Sequence, residues 1–266
     1  MAYRFPTFVS IIVLSIFQTA NAHEFWLETE TYTPSVSEDV KLQIFNGEHF
    51  RGIPYPYLKD RFFTFESHQG EIAHEIDGLE GDDDPVTTLS FEQPGLAVIA
   101  YHARGIYLVY DTMEMFETFL EKEGLQSFLN DHKTFEKRTD DIEERCYRAA
   151  KLFLNIGGNG EGKDIFTGMP LELVAERNPY ALGLGEELPV RLLQDGQPVA
   201  GVLVKAFPKS APSMVQKHWT DTEGRVSIAL PVKGPWMLNA VQLFEPEPNE
   251  GVDWISVWAS LTFERR

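Results

Sequence analysis

Residues 188–199 read Leu188-Pro189-Val190-Arg191-Leu192-Leu193-Gln194-Asp195-Gly196-Gln197-Pro198-Val199. Apolar residues recur along the first half of this stretch, and they stop at Asp195-Gly196, a dipeptide typical of a tight turn between two strands. The stretch therefore predicts a β-hairpin, with residues 199–207 as its second strand. This hairpin indicates that the C-terminal part of the chain is built from β-strands.

Further strand signals lie on both sides of the hairpin. Short apolar or alternating stretches occur at residues 171–174, 226–230, 236–243 and 254–263. With the hairpin they make about seven strands in roughly 100 residues, which is the size of an immunoglobulin-like sandwich. Residues 25–110 carry similar stretches, separated by turn dipeptides such as Asn46-Gly47. The expected fold class is therefore mainly β, with two β-sandwich regions.

The period of the apolar residues changes between these two regions. Residues 114–123 place their apolar side chains at helical spacing, and Gly124 suits the residue after a helix. Residues 125–130 are expected to continue as a short helix. A third helix is expected from Thr139 to about Asn155, because Glu144 and Arg148 have the spacing of an i,i+4 ion pair.

These signals divide the chain into five parts. They are a signal peptide (1–22), an N-terminal β domain (23–110), a helical insertion (111–156), a flexible Gly-rich loop (157–168) and a C-terminal β-sandwich (169–266).

The Gly-rich loop approaches a phosphate-binding motif without matching it. Residues 157–164 nearly spell G-x-x-x-x-G-K-[ST], but the last position is Asp164, so the Mg²⁺-binding hydroxyl is missing. The stretch also follows a predicted helix, whereas the motif follows a strand. We therefore expect no nucleotide here. Neither a G-x-S-x-G elbow nor an H-E-x-x-H pair is present, so the sequence offers no hydrolase motif either.

The N-terminus has the pattern of a secretory signal. Arg4 supplies the positive charge, residues 5–17 are apolar, and Ala20-Asn21-Ala22 gives a small-x-small cleavage site. The apolar stretch is shorter than the roughly 20 residues that a spanning helix needs. We expect cleavage after Ala22, export across the inner membrane to the periplasm, and no membrane span in the mature protein.

Composition narrows the classes of partner. Lys and Arg number 23 against 41 Asp and Glu, a net charge of −18, which becomes −19 when Arg4 is removed with the signal. This balance argues against nucleic-acid binding, which depends on clustered Lys and Arg. Small cations and basic partners are compatible with it. Cys146 is the single cysteine, so no intramolecular disulfide can form.

Cleavage after Ala22 would make His23 the first residue. Its α-amino nitrogen and imidazole Nδ1 could then chelate a metal, and imidazole suits Ni, Co and Cu ions. None of the other six histidines (49, 68, 74, 102, 132 and 218) has a zinc-type spacing, and His132 is expected at the surface. His102 and His49 are the best second ligands because both belong to the β region that contains His23. Glu24 is a possible carboxylate ligand.

The sequence also resembles a known family. Four stretches carry the resemblance: His23-Glu24-Phe25-Trp26-Leu27-Glu28, residues 119–125, residues 170–174 with Asn178-Pro179-Tyr180, and residues 258–263. They resemble exported bacterial proteins of unknown function that open with His-Glu-Phe-Trp-Leu after the signal and are often labelled as periplasmic components of cobalt or nickel transport. Residues 195–199 and 220–224 are similar to prealbumin-like regulatory sandwich modules, which usually carry no catalysis.

The leading expectation is an exported, non-catalytic binding protein for a Ni, Co or Cu ion, with His23 as the anchoring ligand. Its expected partner is that metal or, as the resemblance implies, a cell-envelope transport component. One departure concerns the strand after Gly234-Pro235-Trp236, where family members often have a histidine and this chain has Gln242. Two alternatives stay open. One is a structural module that binds a protein or a glycan without metal. The other is a copper histidine-brace oxidase resembling lytic polysaccharide monooxygenases, although those enzymes usually carry disulfides.

Overall fold

The structure is a computed structural model that describes residues 24–266. The expected signal peptide (1–22) and His23 lie outside the described residues. Within the described residues, no helix combines the length and the apolar character that crossing a membrane requires.

Residues 24–266 form two α-helices and seventeen strands. The helices are α1 (Met113–Glu123) and α2 (Ser127–Thr134). The strands are β1 (Glu24–Thr29), β2 (Val40–Glu48), β3 (Arg51–Pro54), β4 (Phe62–Gln69), β5 (Ile72–Glu75), β6 (Thr87–Leu89), β7 (Gly95–Ala103), β8 (Ile106–Thr112), β9 (Asp140–Ile156), β10 (Leu171–Ala175), β11 (Glu187–Gln194), β12 (Gln197–Pro198), β13 (Leu203–Pro208), β14 (Gln216–Trp219), β15 (Arg225–Ala229), β16 (Gly234–Phe244) and β17 (Trp254–Arg265).

The strands are arranged in three layers. The central sheet has nine strands in the order β14-β13-β16-β17-β9-β7-β4-β5, and β8 pairs with β9 as well. An N-terminal sheet (β1, β2, β3 and β6) and both helices cover one of its faces. A C-terminal sheet (β10, β11, β12 and β15) covers the other. The prediction of a mainly β protein with β-sandwich packing is confirmed, and the two sandwiches share the central sheet.

The third predicted helix is wrong, because residues 140–156 form the strand β9. Both edges of β9 are paired: one runs parallel to β17, and the other is antiparallel to β8 and then to β7. Residues 149–156 are buried on both faces, as central strands are, and apart from Lys151 and Asn155 they are apolar. Glu144 and Arg148 misled the prediction, since residues four apart share a face in a strand as well as in a helix.

Alternation along β9 separates two apolar cores. Ala150, Leu152 and Leu154 point to the core beneath the N-terminal sheet, whereas Phe153 points to the core beneath the C-terminal sheet. Each core is closed by side chains from its own outer sheet, which gives each half of the chain a separate apolar interior.

Helix α1 agrees with its prediction, whereas the predictions for α2 and His132 differ from the structure. Gly124 follows α1 at φ 74°, the left-handed conformation that ends many helices. Helix α2 lies further along the chain than the expected 125–130. His132, expected at the surface, is buried in α2, where its Nδ1 accepts a hydrogen bond of 2.9 Å from Trp254 Nε1.

Two turn predictions also have separate outcomes. The turn at Asp195-Gly196 is confirmed, because Gln194 pairs with Gln197. The second strand is wrong in part: β12 ends at Pro198, and the chain crosses at Gly201 (φ 71°) to the central sheet as β13. Asn46-Gly47 makes no turn, because β2 continues through it to Glu48.

Substitution of Gly124 tests how the end of α1 packs on the central sheet. A Cβ at Gly124 would lie 2.8 Å from the Trp219 ring and 2.9 Å from Leu203, whereas a Cβ at Gly185 (φ 78°) would meet nothing within 4 Å. We expect Gly185→Ala to lower the free energy of unfolding by about 1–2 kcal/mol through backbone strain alone. Gly124→Ala should cost about 1–3 kcal/mol more because of overpacking. Urea unfolding measures both, and equal losses would contradict this packing.

Candidate functional site

A group of buried polar side chains surrounds the start of β1. We call Glu24, Glu123, Lys205 and Asn239 the N-terminal polar cluster. They come from β1, the end of α1, β13 and β16, and their exposed fractions are 4%, 2%, 6% and 1%. Four polar side chains brought together in the interior from distant parts of the chain require a physical explanation, because burying such groups is costly unless each is paired.

Hydroxyl groups of β17 hold β1 against the central sheet and so position Glu24. Ser260 Oγ donates a hydrogen bond of 2.7 Å to the carbonyl of Phe25, and Thr262 Oγ1 donates one of 2.6 Å to the carbonyl of Leu27. These two bonds join alternate residues of both strands. The first residue of β1 is therefore fixed above the neighbouring strands of the central sheet.

The cluster contains polar atoms without partners. Lys205 Nζ donates a hydrogen bond of 2.6 Å to Glu123 Oε2, but Glu123 Oε1 has no hydrogen-bond partner among residues 24–266. Asn239, which pairs in register with Lys205, has no partner in the described part of the chain for either its amide nitrogen or its amide oxygen. Each such atom costs about 1–3 kcal/mol. The cluster is therefore an incomplete polar network.

The cluster contains more carboxyl groups than basic groups. Glu24 Oε2 accepts a hydrogen bond of 2.7 Å from the backbone nitrogen of His49. Burial raises the pKa of Glu24 to about 7, and the positive charge of Lys205 opposes this rise. With Glu24 ionised, the two carboxylates face a single buried ammonium group. An added cation would therefore lower the electrostatic energy of the cluster.

His49 connects the cluster to solvent. It follows β2 in the left-handed conformation, at φ 52°, and its ring packs edge-on against Phe207 with 5.4 Å between ring centroids. Desolvation lowers the pKa of the His49 imidazole. A cleft of about 580 Å³ opens beside it, lined in part by Glu48 and Arg51. A small solute could thus reach His49 from outside.

The structure separates the two histidines predicted as second ligands. His102 lies on β7 next to Ala149, and Ala100 and Ala149 share a small apolar cluster with Met169 on the C-terminal-sheet side. Alternation puts the His102 side chain on that side too. His49 and β1 lie on the opposite face of the central sheet. Within residues 24–266, no three His, Cys, Asp or Glu side chains are arranged to hold a metal ion.

Three members of the cluster were not predicted from the sequence: Glu123, Lys205 and Asn239. Their segments are far apart in the chain, so spacing cannot connect them. One local signal was available, because Lys205 and Asn239 each interrupt an apolar stretch, at 202–207 and 236–243. A charged or amide residue inside a buried strand is a candidate for a polar interior site.

A second buried ionic group is complete and has a structural role. Lys151 Nζ lies 2.6 Å from Asp164 Oδ1 and 3.0 Å from Glu172 Oε1, and it also donates to two backbone carbonyls. The remaining carboxylate oxygens accept from backbone nitrogens, including that of Ala175 at 2.8 Å. Burial raises the pKa of Asp164 to about 6. These bonds fasten β10 and the preceding loop to β9.

The Gly-rich loop is anchored at several points, which the expectation of a flexible linker did not foresee. Asn178 Nδ2 donates to three carbonyls of residues 160–162, and Asn155 Oδ1 accepts from the nitrogen of Gly160. Asp164, the residue that spoils the phosphate motif, is the buried partner of Lys151. The residue that departs from the phosphate-binding motif, Asp164, therefore has a structural role in this loop.

An exposed surface on the C-terminal-sheet side combines aromatic rings with arginines. We call Phe63, Arg104, Tyr107 and Arg145 the aromatic shelf. The Arg104 guanidinium lies 4.4 Å from the Phe63 ring centroid, and that of Arg145 lies 5.7 Å from the Tyr107 centroid. Phe63 and Tyr107 are 48% and 64% exposed, so both rings are open to contact.

Comparison with known proteins places the chain in a family. The model of a domain family of unknown function, DUF4198, matches residues 20–243. The chain belongs to the DUF4198 family. The match includes every member of the N-terminal polar cluster as well as His23 and His49. DUF4198 carries no established activity, so membership does not by itself define a function.

Other comparisons add little. No curated protein matches this DUF4198 chain with significant similarity. Among solved structures, it is similar to the D0–D1 domain of intimin, with 11% sequence identity and a TM-score of 0.20 over 90% of this chain and 97% of that one. A likeness of this size supports no argument about function.

Asn239 tests whether the cluster is built for stability. Replacing Asn239 by Leu removes two unpartnered polar atoms, so we expect the free energy of unfolding to stay the same or rise. Asn155 is a matched control, because it is equally buried and its Oδ1 accepts a hydrogen bond. Asn155→Leu should cost about 1–3 kcal/mol. Urea unfolding measures the free energy of unfolding of both variants. If Asn239→Leu lost as much of it as Asn155→Leu, Asn239 would be needed for folding.

Lys151 tests the structural role of the second group. Lys151→Ala would leave two carboxylates buried without a counter-ion, and we expect it to lower the free energy of unfolding by about 3–5 kcal/mol. Lys163, exposed in the same loop, should be replaceable by Ala within about 0.5 kcal/mol. Thermal and urea unfolding measure the difference. Similar values for the two variants would refute the assignment.

Proposed function

We propose that this protein is an exported, non-catalytic binding protein for a transition metal ion of the Ni, Co and Cu group. In this proposal the metal is cargo, held by the α-amino group and imidazole of His23 after cleavage behind Ala22. His49 serves as the second histidine. The observation that carries the proposal is the N-terminal polar cluster, which is buried, incomplete and short of positive charge.

Covalent geometry supports the place of the proposed site. One peptide bond joins residue 23 to Glu24, and Cα atoms across a trans bond are about 3.8 Å apart. The proposal therefore assigns the site to the neighbourhood of Glu24, whose Oε2 accepts a hydrogen bond from the backbone nitrogen of His49. His102 faces away from this place, so we assign it no role in the site.

The donor atoms suit the proposed ions. An amine, two imidazoles and carboxylate or amide oxygens form a mixed nitrogen and oxygen set, which Ni, Co and Cu ions accept. The described residues hold too few ligands to bind a metal by themselves. The proposal therefore depends on His23, and it implies that the precursor binds the metal less well than the mature protein.

The aromatic shelf favours a second candidate function, a protein- or glycan-binding module without metal. Exposed rings and arginines can stack on sugar faces or contact a partner chain. The shelf lies on the other side of the central sheet from His49, so the two candidate functions use separate surfaces and are separable by mutation. The copper oxidase remains a third hypothesis, for which a metal site at His23 would also be required.

Calorimetric titration tests the metal proposal. We expect mature protein beginning at His23 to bind one equivalent of Cu²⁺, Ni²⁺ or Co²⁺. A form with one alanine placed before His23 should bind at least tenfold more weakly, because its α-amino group is displaced. His49→Ala should weaken binding to a similar degree by removing one imidazole.

The matched control is His74→Ala, since His74 lies on the exposed strand β5 and has no part in the site. It should leave binding unchanged. Equal binding by the extended and the unextended forms would refute the N-terminal chelate. Loss of glycan or protein binding on Tyr107→Ala, with no metal binding by any form, would support the second candidate. Hydrogen peroxide release from the copper-loaded protein with a reductant would favour the oxidase.

A further inference from the structure

Strand β5 leaves one edge of the central sheet open. Among the strands of residues 24–266 it pairs with β4 alone, and all four of its residues are exposed. The nitrogen of Ile76 donates to the carbonyl of Phe65, so Ile76 points its backbone polar groups toward β4. In an antiparallel pair this direction alternates along the strand. The backbone groups of Ala73 and Glu75 therefore point outward, where a further strand could pair with them.

A groove lies beside this edge. Its volume is about 720 Å³, and it runs between the β4–β5 hairpin and the segment from 89 to 96 that leads into β7. Ile72, 64% exposed, forms one wall, while Leu89 and Pro94 are among the apolar residues of the other. An extended chain paired with β5 would place every second side chain toward this groove.

The charges around the edge are acidic. Glu92 and Glu161 line the groove and Glu75 borders it, whereas no lysine or arginine among residues 24–266 lines it. Glu75 pairs in register with Glu66 on the face of the hairpin away from the groove. Lys59 is the nearby cation, 3.9 Å from Glu75 and shared with Asp77. The surroundings are thus complementary to positive side chains.

We propose that β5 and this groove bind an extended, basic segment of a partner protein by strand addition. Main-chain hydrogen bonds to Ala73 and Glu75 would supply affinity, as in other proteins that bind peptides at a sheet edge. Alternate apolar side chains of the segment would enter the groove near Ile72. The intervening lysines or arginines would lie near Glu66 and Glu75. The site is separate from the N-terminal polar cluster.

A synthetic peptide tests the proposal. The probe is a seven-residue peptide that alternates lysine and valine and is blocked at both ends. Its two control peptides carry glutamate in place of lysine, or N-methyl groups on alternate residues. We expect calorimetry with the mature protein to detect binding of the first peptide, with affinity falling as salt rises. The two control peptides should bind at least tenfold more weakly.

Ala73 offers a matched pair of protein variants. Ala73→Pro removes an outward N–H without touching the bonds to β4, a position where edge strands tolerate proline. Ala73→Thr keeps the N–H. We expect Ala73→Pro to bind the peptide at least tenfold more weakly than the wild-type protein and Ala73→Thr to bind it equally well. The melting temperatures of the two variants should be similar. The proposal would be overturned if the methylated peptide bound as tightly as the unmethylated one, or if folded Ala73→Pro bound the lysine peptide as tightly as the wild-type protein does. It would also be overturned if the lysine peptide did not bind at all.

Discussion

The structure depends on β9, a strand of 17 residues whose edges are both paired and whose residues 149–156 are covered on both faces. Its parallel pairing with β17 joins the last strand of the chain to the middle of the sequence, and β7 and β8 share its other edge. The two outer sheets each pack on one face of the sheet that contains β9. Without β9, the N-terminal and C-terminal halves would have no common sheet.

This constraint makes polar groups inside the layers informative. A sheet covered on both faces exposes its side chains to little water, so each buried charge must be paired by the protein. Lys151 on β9 meets this requirement fully, with two carboxylates and two carbonyls. The N-terminal polar cluster does not, because Asn239 and Glu123 keep atoms that no described residue pairs with. The contrast separates a structural ionic group from a candidate binding site.

The sequence predicted the fold class, helix α1 and most strands from local periodicity and turn residues. It failed where long-range packing decides the outcome. Residues 140–156 carry helix-compatible spacing, but pairing with β8, β7 and β17 makes them a strand. His49 and His102 were both chosen because they share a β region with His23, and the structure puts them on opposite faces of the central sheet, which the sequence does not show. Lys205 and Asn239 are joined by strand pairing alone, which no spacing rule describes.

We propose that a metal ion binds beside the N-terminal polar cluster through the imidazoles of His23 and His49. Pulsed electron paramagnetic resonance of the mature protein loaded with one equivalent of Cu²⁺ counts the coordinated imidazoles by their remote nitrogens. The account predicts two imidazoles in the wild-type protein and one in His49→Ala. The same number of imidazoles in both proteins, or none in either, would contradict it.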